Sequence, residues 1–191
     1  MNNKTKMMVI TAIFCAIIIA MTVIPFTGYI SYNGVLEITT LHIPVILSAV
    51  FLGAKRGAIV GGAWGVTCIL RALTNPLWAP FINPLVSLVP RIIVGLVAGL
   101  VFAGLCKIKC NKYVSAVISS IVATITNTTT VLFAFNYFGG AIKDFAGIFE
   151  TIKGIYFTII SINGTIELVA AAVLVPVIYK ALEKQAQGFA K

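Results

Sequence analysis

Apolar residues in this chain come in long blocks separated by short polar joints, and the block lengths predict helices that cross a bilayer. The first block runs from Met7 to Ile24 and ends at Pro25, behind Lys4 and Lys6. A cleaved leader has an apolar core of about 7–15 residues, so this longer run reads as a retained first helix. Further blocks predict helices over about 42–53, 57–73, 85–106, 113–137 and 155–180, together with 7–24, in one six-helix membrane domain over 1–191. The second and third blocks are short for a span. They read as two short or tilted helices or one re-entrant hairpin, and Lys55 and Arg56 between them favour two spans with a turn at the water interface. Residues 26–41 mix aromatics, glycine and hydroxyls and read as an outer loop. Residues 74–84 carry three prolines, which break a helix, and 139–154 reads as an amphipathic loop.

Composition confirms the environment. Of 191 residues, 60% are apolar and 10% charged, with a mean hydropathy of +1.06. A soluble domain carries about 45–50% apolar and about 25% charged residues. The chain is therefore expected to be an all-α integral membrane protein, with no room for an attached ATPase, a soluble binding domain or a nucleic-acid module. The 14 basic and 5 acidic residues give a net charge of +9 without any long run of like charge, which argues against a nucleic-acid partner. Their placement matters more. With both termini on one side, that side holds Lys4, Lys6, Lys55, Arg56, Lys107, Lys109, Lys112, Lys180, Lys184 and Lys191, and the other holds Lys143 and Lys153. Ten against two predicts six transmembrane helices with both termini cytoplasmic, in a multi-pass cell-membrane protein. Cys15, Cys68, Cys106 and Cys110 read as free thiols, because no histidine near the last two completes a zinc set.

Arg91 and Glu167 fall well inside the blocks, and Arg71 lies near the outer end of the third. Each costs about 2.5–3.5 kcal/mol at mid-membrane, so each must face protein or a water-filled cavity. Two readings stand: a structural ion pair between Arg91 and Glu167, or an outward-opening ligand cavity lined by both. Asn163 and Glu167 are spaced i, i+4 and share a helix face, where both point at one polar solute. Asn127 fits the same cavity or a hydrogen bond between helices. His42, Asn83 and Trp64 complete the candidate ligand set, although a lone histidine at a helix start is more often an interfacial or capping residue. Phe26, Tyr29, Tyr32, Trp78, Phe81, Tyr137 and Phe138 all fall on the outer side as belt residues, with loop 26–41 long enough to fold over a cavity. Ala12, Ala16 and Ala20, then Gly57, Gly61 and Gly65, and Gly95 and Gly99 form small-residue ladders for close helix packing or contact with another subunit. No Walker motif, HExxH or nucleophile with a base is present, so an enzyme is not expected. No metal site and no cofactor are expected either.

Together these segments resemble the substrate-binding S component of an energy-coupling factor (ECF) vitamin transporter. The resemblance rests on the Ala12 and Ala16 ladder, the run Thr40 to Gly62, Asn83-Pro-Leu-Val-Ser-Leu-Val-Pro-Arg91 continuing to Gly95, Thr126-Asn-Thr128 and Asn163-Gly-Thr-Ile-Glu167. It implies a subunit that captures a vitamin from outside and releases it inside, coupled to a transmembrane T subunit and two ATPase subunits that hydrolyse ATP. It further implies that Ala12, Ala16 and Ala20 dock the T subunit and that residues 26–41 act as a gate. The Asn83 and Asn163 segments look most similar to the pantothenate type, with riboflavin, folate and cobalamin types sharing the overall pattern. Arg91 then offers a bidentate donor for a carboxylate. A self-sufficient ion-coupled carrier is the alternative from another class, although no inverted repeat is evident between residues 1–95 and 96–191.

Overall fold

The computed structural model describes residues 2–32, 36–74, 76–138 and 143–187, with the side chains of 31, 32, 36, 76, 77, 143–152 and 184–187 left aside. The side chains of Tyr32, Lys143, Lys184 and Lys191, used above for the outer belt and the orientation, lie outside the described residues.

Among the described residues the fold is six α-helices and one β-hairpin. Helix α1 spans Asn3–Val23, one turn earlier than its apolar block, because the Asn2 side chain caps it by accepting from the Lys4 backbone N–H. It stops at Ile24, where the following Pro25 disfavours helical backbone. The segment expected as an irregular outer loop holds two paired strands, here called the hairpin: β1 (Tyr29–Tyr32) pairs antiparallel with β2 (Leu36–Thr39), placing Tyr29 opposite Thr39 and Ile30 opposite Ile38.

Helix α2 (His42–Leu52) and helix α3 (Ala54–Ala72) are joined by Gly53 alone, whose φ of 90° is a left-handed conformation that only glycine adopts cheaply. Arg56 reaches back to donate to the Leu52 carbonyl, a cation closing the C-terminal end of α2. All residues of α2 except Phe51 are buried, and the helix is surrounded by α1, α3 and three further helices. Its shortness follows from that position: apolar on every side, it is a central core helix that does not face lipid.

A 3₁₀ helix over Pro76–Ile82 occupies the proline-rich segment. Helix α4 (Pro84–Lys107) starts on Asn83, whose side chain accepts from the Leu85 N–H at 3.0 Å, with Pro84 at the first helical position. Helix α5 spans Lys112–Phe138 and helix α6 spans Lys143–Gln187. The expected loop 139–154 is therefore helical from Lys143 onward. Phe145, Ile148, Phe149 and Ile152 carry the i, i+3, i+4, i+7 spacing of an amphipathic helix, and the interspersed charges disguise it.

Among the described residues, four helical segments are long and apolar enough to cross a membrane: Asn3–Val23, Pro84–Lys107, Lys112–Phe138 and Lys153–Glu183. Large apolar side chains such as Ile13, Leu100, Phe133 and Val169 point outward along them, an arrangement that water does not tolerate over so wide a surface. Inside, α3 and α4 form the closest crossing. A methyl group on Gly61 would run into the Arg91 carbonyl, one on Gly95 into the Gly57 carbonyl, and one on Gly99 into the Ala54 backbone. The glycine ladders are thus an internal seam, and its tightness positions Arg91.

Candidate functional site

The main core is packed around α2, from Ile18 and Leu41 to Ala171 and Val175, while a second apolar cluster of Val86, Ala134 and Phe135 sits apart from it. Beside that second cluster lies a cavity of about 290 Å³. Its walls come from the hairpin (Tyr29, Glu37, Thr39), the end of α3 (Cys68, Arg71), the 3₁₀ helix (Trp78, Phe81), Arg91 of α4, Asn127 and Thr128 of α5, and one face of α6 including Asn163 and Glu167.

Arg91 is buried, with 7% of its surface exposed. One guanidinium nitrogen donates to the Val86 carbonyl at 2.9 Å, and the group lies 5.0 Å from the centre of the Trp64 ring and 6.0 Å from that of Phe81. Its Nε has no hydrogen-bond partner. Arg91 and Glu167 do not form an ion pair, because Glu167 is turned to the hairpin: its Oε1 accepts from the Thr39 backbone N–H at 2.8 Å. The cation is held by a backbone carbonyl and aromatic faces, which orient it without neutralising it. Asn127 on α5 is likewise buried, and its Oδ1 has no partner. The neighbouring threonines Thr124, Thr126, Thr129 and Thr130 all donate to carbonyls of their own helix, so most of the polar centre of α5 is already satisfied.

Asn163 and Glu167 share a face of α6 and act together. Asn163 donates to the Glu37 backbone carbonyl at 2.8 Å, and Glu167 takes the Thr39 N–H, so one helix face fastens both ends of the inner edge of β2 over the cavity. These two residues line the cavity while also holding its cover.

His42, Trp64 and Asn83, expected among the ligand residues, do not line the cavity. His42 is fully buried at the start of α2, with Nε2 3.3 Å from the Glu167 carbonyl oxygen. Trp64 is fully buried behind Arg91 and supplies the surface on which the guanidinium rests. Asn83 is occupied as the cap of α4, and its amide nitrogen donates to the Phe138 carbonyl at 3.3 Å. All three support the site from behind.

Glu37 lines the cavity although it is not among the residues expected there. It forms a two-pronged ion pair with Arg71, both N···O distances being 2.6 Å, and the Arg71 guanidinium stacks 4.0 Å from the centre of the Tyr29 ring. Desolvation holds the Tyr29 phenol well above its usual range, so it stays a neutral hydrogen-bonding group beside Cys68. Among described residues the cavity thus carries two arginines, one already neutralised and one not.

On α1, Ala12, Ala16 and Ala20 are all exposed along one outward face. No group of three or more metal-ligating side chains occurs among the described residues.

The family model of the ECF transporter, substrate-specific component, matches residues 6–179. The chain is also similar to two bacterial proteins. One is the pantothenate transporter PanT of Leuconostoc mesenteroides subsp. mesenteroides, 42% identical over 78 residues, or 39% of this chain and 38% of that protein. The other is the pantothenic acid transporter PanT of Lactococcus lactis subsp. cremoris, 32% identical over 87 residues, or 42% of this chain and 43% of that protein. The matched segments thus cover about two-fifths of each relative.

Proposed function

Because the chain belongs to the family of ECF-transporter substrate-specific components, we propose that it is the pantothenate-capturing subunit of a bacterial vitamin importer. The family is that of a transporter's binding component, not of an enzyme. The observation that carries the choice of ligand is Arg91: a buried guanidinium on the cavity wall, with an unpartnered Nε and no carboxylate within hydrogen-bonding reach. Pantothenate brings one carboxylate, which satisfies that fork by charge-assisted hydrogen bonds. Its amide and hydroxyls meet Asn127 and Thr128, and its two methyl groups meet the apolar wall from Val131 to Ile160. The names of both relatives support the same ligand.

Charge and size argue against the alternatives. Riboflavin leaves Arg91 without a counter-charge, and folate and the corrin of cobalamin overfill a cavity of about 290 Å³. That volume suits a small polar vitamin, at the lower end of ligand pockets.

The membrane arrangement belongs to the same proposal. Adding α2 and α3 to the four long apolar segments gives six crossings, with the turn at Gly53, Lys55 and Arg56 on the same cytoplasmic side as both termini. Ala12, Ala16 and Ala20 on the exposed face of α1 form the docking surface for a T subunit, which with two ATPases supplies the energy. A self-sufficient ion-coupled carrier would instead transport without partners. Native purification followed by mass spectrometry of any co-purifying small molecule tests the ligand directly. Pantothenate is the expected species, and riboflavin, folate or no vitamin at all under saturating supply contradicts the proposal.

A further inference from the structure

The Glu37–Arg71 pair lies between two spaces. On one side is the cavity. On the other is an outer cleft of about 240 Å³, walled by the end of α1 and the turn after it (Thr22, Ile24, Pro25, Phe26). Tyr29, Glu37 and Arg71 line both. The pair is unequal in exposure: the Arg71 side chain is 30% exposed and that of Glu37 11%. The cation is thus the more accessible member of the pair to a solute.

We propose that Glu37 and Arg71 form a charge-selective barrier between this cleft and the cavity, crossed when a carboxylate of the solute takes the place of Glu37 on Arg71. The proposal rests on the reading of the cavity as a site for a carboxylate-bearing ligand. Arg71 presents a planar fork that binds any carboxylate in the geometry it now gives Glu37. Stacking on Tyr29 holds that fork in place when its partner changes. The hairpin need not detach, because β2 is retained by Asn163 at the Glu37 carbonyl and by Glu167 at Thr39. Beyond the barrier, Arg91 has no carboxylate partner, so the anion passes from a cation that already has one to a cation that has none. A cationic solute finds no such exchange: it would have to displace Arg71 from Glu37, and Arg91 then repels it.

Cys68 provides a native reporter. It is buried, lines the cavity, and its Sγ is 3.3 Å from the Tyr29 hydroxyl. With Cys15, Cys106 and Cys110 replaced by alanine, Cys68 is the remaining thiol, and small methanethiosulfonates convert it to a mixed disulfide with release of methanesulfinate. The rates are compared for an anionic sulfonatoethyl and a cationic trimethylammonioethyl reagent. In Glu37→Gln the anionic reagent should react roughly tenfold faster, with the cationic one little changed, because a charge-assisted pair is replaced by a neutral acceptor. In Arg71→Gln the preference should reverse, and in the double variant it should fall to the weaker anion preference that Arg91 alone imposes. Unchanged rates in Glu37→Gln overturn the proposal. So does equal acceleration of both reagents, which marks simple loosening of the hairpin. No vitamin is needed for this measurement, so its outcome is separate from pantothenate binding. The charge-neutral double variant covers the case in which a single variant fails to fold.

Discussion

Asn163 and Glu37 are joined across 126 residues of sequence by a hydrogen bond of 2.8 Å, from the Asn163 side chain to the Glu37 backbone carbonyl. Four residues further along α6, Glu167 repeats the arrangement on Thr39. The hairpin that covers the cavity is thus held by its backbone, through side chains that the sequence presents as ligand residues.

Asn163→Ala should therefore act on the rate at which ligand escapes more than on the rate at which it binds. One lost buried hydrogen bond, worth about 0.5–1.5 kcal/mol, corresponds to a rise in dissociation rate of about 2- to 12-fold. Stopped-flow dissociation of labelled pantothenate checks this, and an effect confined to association contradicts it.

At Glu167, charge and hydrogen-bond acceptor can be separated by substitution. Glu167→Gln keeps an oxygen for the Thr39 N–H and should retain most of the binding, whereas Glu167→Ala leaves that N–H buried without a partner and should lose at least tenfold in affinity. Equal losses in the two variants, read by titration calorimetry, would show that the carboxylate charge itself is needed.

The glycine seam yields a matched pair. A methyl group at Gly61 meets the Arg91 carbonyl, so Gly61→Ala should cost about 1–3 kcal/mol of stability and weaken binding by displacing Arg91. At Gly62 the added carbon has only ordinary contact, 3.7 Å from Ile92 Cγ1, and Gly62→Ala should be neutral or slightly stabilising. Thermal unfolding in detergent, compared with binding, distinguishes the two.

Ala12→Trp with Ala16→Trp changes an exposed face far from the cavity lining. Binding by the purified chain should be unchanged, while uptake by cells that hold the whole importer should fall to background. Normal uptake would remove the α1 face from the docking surface.

Much of this was readable from the residues because lipid makes polar positions conspicuous. Arg91 and Asn127 stood out in apolar blocks and do line the cavity. The long blocks that became α1, α4 and α5 were legible for the same reason. What escaped depends on distant pairing. Glu37 lies in a segment that reads as loop, and its partner Arg71 is 34 residues away. The hairpin itself has only four residues in each strand and gains its place from α6. His42 and Trp64 are polar-capable side chains at the ends and middle of apolar blocks, and the sequence does not show on which side of the wall they fall; both are fully buried behind it. Helix α2 was seen as a short run, but its burial on all sides follows only from the packing of five other helices around it.

Arg91 is the centre of the account, and one titration tests it most directly: pantothenate added to the purified chain in detergent, with Arg91→Gln alongside. The chain should bind saturably and one to one, and Arg91→Gln should weaken binding about 10- to 150-fold with thermal stability retained, as expected for loss of hydrogen bonds to a charged group. No binding by the chain, or equal affinity in the variant, would contradict it.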